Sequence, residues 1–212
     1  MEVIVRVDTM TVEERINRLV QGKQYREALS LLAPLCRTSN PFWALKMAGI
    51  VSHELGQFRE SATHLEKALA VHPDDPEANL FMASAYYSLG QYSRAGVCLQ
   101  VVYRQQKNNY HALRLLSLIS LAEGRVGEAL QYTSEMVKYW ENDMDASLFH
   151  GKALQDSGRA EDAVRYYDRV IGQYSEQHQG YYCKARALVS MGNVEEAIPC
   201  YQRAGEIGRA HV

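Results

Sequence analysis

Apolar residues recur along the chain at three- and four-residue intervals, with polar residues between them. Leu65, Ala68 and Leu69 form one such group, and Leu113, Leu116 and Ile119 another. That spacing places them on one face of an α-helix. Twelve helices are predicted, over 10–21, 24–37, 42–55, 58–72, 76–89, 92–106, 110–123, 126–140, 144–157, 160–174, 178–191 and 194–205. Asn40-Pro41 and Asp75-Pro76 each read as an N-cap followed by proline at the first helical position. Pro34 and Pro199 fall inside predicted helices, where a proline removes a hydrogen bond and bends the axis. Met1 to Asp8 has strand-like composition but no partner strand, and is expected to be an extended tail.

The pattern has a period. Gly56, Gly90, Gly124, Gly158 and Gly192 are each 34 residues apart. Five residues after each comes a small residue: Ser61, Ala95, Ala129, Ala163 and Ala197. An earlier unit fits with one residue deleted; Lys23 takes the glycine's place and Ala28 is its small residue. Each glycine falls where a first helix must end in a left-handed cap, which costs a residue without a Cβ nothing. Each small residue falls where a second helix crosses the first closely.

Over residues 9–205 the chain resembles the tetratricopeptide-repeat (TPR) family, whose repeat is 34 residues long. The match is fullest at Phe42 to Asp75, with Gly49, Gly56, Ala68 and Pro73 at family positions; the next repeat adds Tyr86 and Ala95, and later repeats lack the closing proline. The resemblance implies an all-α TPR helical solenoid, a right-handed superhelix of about six helix–turn–helix repeats at 9–41, 42–75, 76–109, 110–143, 144–177 and 178–205. Its function would be to bind a protein or peptide, without catalysis.

The last residues, Glu206-Ile207-Gly208-Arg209-Ala210-His211-Val212, read like the translation of a sequencing-library adapter. On that reading 206–212 is not native and the protein is truncated; the alternative is a genuine short tail. A solenoid stopping at the twelfth helix would expose apolar surface from Leu188 and Tyr201, and such an uncapped end invites self-association.

Twenty-three basic against 25 acidic residues speak against a nucleic-acid-binding surface, which needs a basic excess. No apolar run approaches the roughly 18 residues of a membrane span, and Met1 to Met10 does not read as a secretory signal. Cys36, Cys98, Cys183 and Cys200 make no C-x-x-C pair; small buried or half-buried thiols in a reducing, cytoplasmic setting are expected. No cofactor or metal site is expected. His53-Glu54 begins like a zincin motif, but Gln57 stands at the second ligand position. Gly151-Lys152 lacks the upstream glycine of a phosphate loop, and no G-x-S-x-G elbow exists.

The family resemblance implies that the first helix of each pair lines an inner groove where ligands lie. Ten residues before the glycines stand Lys46, Leu80, Arg114, Leu148 and Tyr182; nine before, Met47, Phe81, Leu115, Phe149 and Cys183. Six before stand Ile50, Ser84, Leu118, Lys152 and Arg186; three before, His53, Tyr87, Leu121, Gln155 and Val189. An apolar stripe, Met47–Phe81–Leu115–Phe149, and four cations, Lys46, Arg114, Lys152 and Arg186, suit a peptide with apolar anchors and acidic residues. Equally, the stripe could pack against neighbouring helices. A chaperone-tail carboxylate clamp is disfavoured: Asn17 fits, but Glu13, Met47, Glu77 and Phe81 occupy the other positions. The second functional expectation is the N-terminal recognition arm of a larger sulfotransferase- or glycosyltransferase-type enzyme.

Overall fold

A computed structural model describes residues 10–37 and 42–210. The expected tail at 1–8, the Asn40-Pro41 cap, and His211 and Val212 lie outside the described residues. Among those described there are twelve α-helices and no strand. They are α1 (Val12–Gln21), α2 (Tyr25–Leu35), α3 (Phe42–Glu54), α4 (Phe58–Val71), α5 (Pro76–Ser88) and α6 (Tyr92–Gln105). The second six are α7 (Tyr110–Ala122), α8 (Val126–Tyr139), α9 (Met144–Asp156), α10 (Ala160–Gln173), α11 (His178–Ser190) and α12 (Val194–Ala210).

The chain divides into two compact units after Gln105, so each unit carries three helix–turn–helix repeats. In the first unit each helix packs on the next from α1 to α6, and first helices α3 and α5 also touch. In the second the same succession runs from α7 to α12, with α9 touching both α7 and α11.

The periodic glycines do what their spacing asks. Gly56, Gly90, Gly124, Gly158 and Gly192 all have φ between 72° and 84°. Lys23, at the corresponding place in the first repeat, is the one described non-glycine residue with positive φ, at 57°. At all six turns the N–H of the residue after the cap donates to a carbonyl five residues back at 2.7–2.9 Å, from Gln24 to Leu19 through Asn193 to Leu188. These bonds satisfy carbonyls that the helix end would otherwise leave open. Helix starts are closed by side chains: Asp75, Asn109 and Asp143 accept from the N–H groups of Ala78, Ala112 and Ala146 at 2.7, 3.0 and 2.7 Å. Thr11 and Glu14 form a reciprocal capping box.

The small residues Ala28, Ser61, Ala95, Ala129, Ala163 and Ala197 are at most 1% exposed. Closeness is tightest seven residues before two of the cap glycines. A Cβ on Gly49 would stand 2.4 Å from Leu65 Cγ, and one on Gly151 2.4 Å from Tyr167 Cε1. Hydrophobic clusters fill the seams: Ile16, Ala28, Leu32, Ala48 and Val51 in the first unit, Leu154, Ala163, Tyr167 and Ala187 in the second.

The last repeat departs from expectation in two ways. Leu188, expected at an open apolar end, is 3% exposed, because it packs with Ala185 and Ala197 inside its own helix pair. Tyr201 is 38% exposed. The twelfth helix continues past 205 to Ala210, with Ile207 buried. Pro34 lies one residue before the end of α2, and Pro199 lies inside α12.

Candidate binding faces of the first helices

In the first unit the relevant face belongs to α3 and α5. Lys46 is 16% exposed at its side chain, with Nζ 3.3 Å from Asp75 Oδ2 and 3.0 Å from Glu77 Oε2. Burial works to lower its pKa, but hydrogen bonding and charge from Glu77 and Asp75 outweigh it and hold the ammonium above its ordinary value. The same ammonium lies 5.3 Å from the Phe42 ring. Lys46 is therefore already neutralised by its own chain. Glu77 sits on the next first helix, one turn before Leu80, so adding the repeat length to Lys46 and stepping back a turn would have found it.

The other residues of this face are also engaged. His53 Nε2 and Ser84 Oγ are 2.8 Å apart, joining α3 to α5. The His53 ring stands edge-on to Phe58 and Phe81, each at 5.4 Å. Phe81 packs on the Leu65–Leu69–Ala78 cluster, and Met47 on the core of the first two repeats. Ile50 is buried, while Leu80 and Tyr87 are half-buried. Tyr87 lies 5.5 Å from Tyr92, ring to ring.

In the second unit the face belongs to α7, α9 and α11. Leu115 is 5% exposed, and Leu148 packs on the Leu154–Tyr167 cluster. Leu118 and Phe149 are half-buried. Of the apolar stripe only Leu115 is buried; Met47, Phe81 and Phe149 are half-buried, Met47 and Phe81 packing partly on core clusters. Lys152 is ion-paired with Asp156 one turn along α9. Arg114 and Arg186 have no carboxylate partner among the described residues. The Arg186 guanidinium lies 5.9 Å from the ring of Tyr182, which is 48% exposed.

His150 neighbours Phe149 in sequence but turns inward and is 8% exposed. Its Nδ1 is 2.9 Å from Thr133 Oγ1, and its ring is edge-on to Tyr166 at 4.7 Å. Burial, with Arg159 adding to it, pushes its pKa down to about 4. Burial pushes the Cys98 thiol up to about 11, and the Cys36 and Cys183 thiols up as well. All four cysteines are free. Thiols raised in this way are poor nucleophiles at neutral pH. Among the described residues no three His, Cys, Asp or Glu side chains converge on a metal position, and no helix is long and apolar enough to cross a membrane.

Two family models, both described as tetratricopeptide repeat, match residues 52–117 and 150–209, together more than half of the chain. No curated protein sequence matches. Among solved structures the fold is similar to "MamA 41-end from Desulfovibrio magneticus RS-1", with a TM-score of 0.74, 18% identity, and 80% of this chain and 96% of that one covered. It is also similar to "MamA MSR-1 C2", with a TM-score of 0.70, 20% identity, and 81% and 98% covered. At such identities the likeness is one of fold.

Proposed function

The chain belongs to the tetratricopeptide-repeat family and is a protein-interaction scaffold; we propose that it acts without catalysis, seating an acidic peptide segment of a partner on the first-helix face of the second unit. The observation that carries this reading is the pair Arg114 and Arg186, two guanidinium groups on one unit's first helices with no carboxylate of their own. An arginine left without a partner offers its planar fork to a carboxylate from outside. Phe149, Leu118, Leu148 and Tyr182 supply apolar and aromatic contact beside them. Lys46, Met47, Ile50, His53, Leu80, Phe81, Ser84 and Tyr87 make the corresponding face of the first unit, where internal pairing leaves contact area rather than free charge.

The test is selection of binding peptides from a random library. Enriched peptides should be acidic with apolar anchors, and R114E/R186E should bind them at least about tenfold more weakly, a loss of roughly 1.4 kcal/mol. Enrichment of neutral or basic peptides, or unchanged binding by the double variant, would refute the assignment.

We also propose that the exposed apolar residues of α11 and α12, Val189, Val194, Ile198 and Tyr201, support self-association. A sedimentation coefficient independent of concentration would count against it. The free cysteines fit a reducing compartment, and we place the protein in the cytoplasm. No feature of the described residues favours the alternative of a recognition arm for a transferase.

A further inference from the structure

Ser52, Tyr86, Ser120, Leu154 and Leu188 hold one place in successive repeats, four residues before the cap glycine. In the third repeat that place is filled by a tyrosine. Tyr86 is 3% exposed, its hydroxyl donates to Glu66 Oε1 at 2.6 Å, and the Arg94 guanidinium lies over its ring at 4.1 Å. In the second repeat the same place holds only a serine. Repeat register puts Ala33 where Glu66 stands and Glu60 where Arg94 stands.

The consequence is a cavity of about 380 Å³ between α2, α3 and α4. That lies at the small end of the range for ligand sites, about 300–1,000 Å³. Leu29, Ala33 and Ala48 contribute apolar wall, Ser52 and His64 polar wall, and the exposed Arg37, Glu60 and Lys67 also line it. Ser52 is 1% exposed, yet its Oγ has no hydrogen-bond partner in the protein. Burial pushes the His64 pKa down, outweighing a hydrogen bond with the Glu60 backbone, so the imidazole is neutral. Buried polar atoms normally find partners, and the orphaned Ser52 hydroxyl across from the neutral His64 imidazole points to a ligand with a hydroxyl. Ala33 and Glu60 on the wall are exposed, so the cavity is reachable from solvent.

We propose that this cavity is a socket for the phenol ring of a tyrosine side chain supplied by a partner protein. The ring takes the space that Tyr86 fills one repeat later, and its hydroxyl meets Ser52 and His64. The socket rests on the reading of the chain as an interaction scaffold, but it stands apart from Arg114 and Arg186.

The test uses p-cresol and N-acetyltyrosinamide, titrated into the full chain and followed by NMR. Both should bind saturably, in the millimolar range, to the native protein and to R114E/R186E alike. S52Y fills the socket from inside the fold and should raise Tm and weaken both probes by at least about tenfold. A33F fills it from the exposed edge of α2 and should weaken both equally, which decides the matter if S52Y does not fold. Absence of saturable binding by N-acetyltyrosinamide overturns the proposal, as does equal affinity in A33F. Binding of p-cresol alone would make the cavity a site for free phenols and also overturn it. Failure here leaves the acidic-peptide reading standing, since the double arginine variant tests that reading separately.

Discussion

On α3 and α5 the polar groups of the first-helix face are engaged with one another; on α7, α9 and α11 two arginines are not. Lys46 meets Asp75 and Glu77, and His53 meets Ser84. Arg114 and Arg186 occupy the same two register rows as Lys46 and Ser84, ten and six residues before their cap glycines, without a carboxylate at ion-pair distance; Asp143 and Asp145 stand in register where Asp75 and Glu77 stand for Lys46, and Asp143 instead accepts from the Tyr110 hydroxyl. The two units therefore share one scaffold and differ in what they leave open to a partner. Repeat position tells which side chains share a face. Whether a charge on that face is available depends on how the matching side chains are placed: Asp75 and Glu77 reach Lys46, whereas Asp143 is engaged by Tyr110.

The largest effects should come from attacking the shared scaffold. Ala95→Arg in the first unit and Ala129→Arg in the second each force a long cation into a fully buried crossing. Both should cost several kcal/mol, on the order of 3 or more, through overpacking and an unpaired buried charge. Similar losses in urea melts would support a common scaffold; tolerance in one unit alone would break the comparison.

Next comes acid. The His150 pKa lies at about 4 against an ordinary 6.5, so the folded protein holds the imidazole neutral. Its contribution is fully present above 6.5 and is lost as pH falls from there towards 4. Between pH 7 and 4.5 the native protein should lose on the order of 2 kcal/mol more than His150→Gln. Equal acid sensitivity in the two would show that His150 is not the group responsible.

A smaller effect separates the faces themselves. Lys46→Gln should alter acidic-peptide binding by less than about 0.5 kcal/mol, whereas R114E/R186E should cost about 1.4 kcal/mol or more. Comparable losses on isothermal titration would mean that the internal pairing of Lys46 does not withhold it from ligands.

The smallest concerns the caps. Lys23 carries a left-handed conformation that five glycines carry elsewhere. Lys23→Gly should stabilise the first unit by roughly 0.5–1 kcal/mol, visible as a higher urea midpoint. A lower midpoint would show that the Lys23 side chain contributes more than its backbone strain costs.

Helix ends, turn geometry and the buried small residues were legible in the chain, because each depends on the residue itself and its near neighbours. A glycine at 34-residue intervals announces a left-handed cap, and Ala129 or Ala163 five residues on announces a close crossing. The inward turn of His150 was not legible. It adjoins Phe149 in sequence, and only the packing of Thr133 and Tyr166 against it shows which way it faces. The fate of the apolar stripe was equally hidden, since Met47 and Phe81 find their places in clusters built from several helices.

From the sequence by itself came the repeat, its family, the twelve helices, their pairing and the side chains that share each first-helix face. All of these follow from the 3.6-residue turn and the conformational freedom of glycine, which act over short stretches of chain. Only the tertiary structure decided which cations are neutralised, which apolar residues are core, and that Ser52 opens a cavity where Tyr86 closes one. Those outcomes depend on atoms brought together from different repeats, where distance and burial set the strength of every charge and contact.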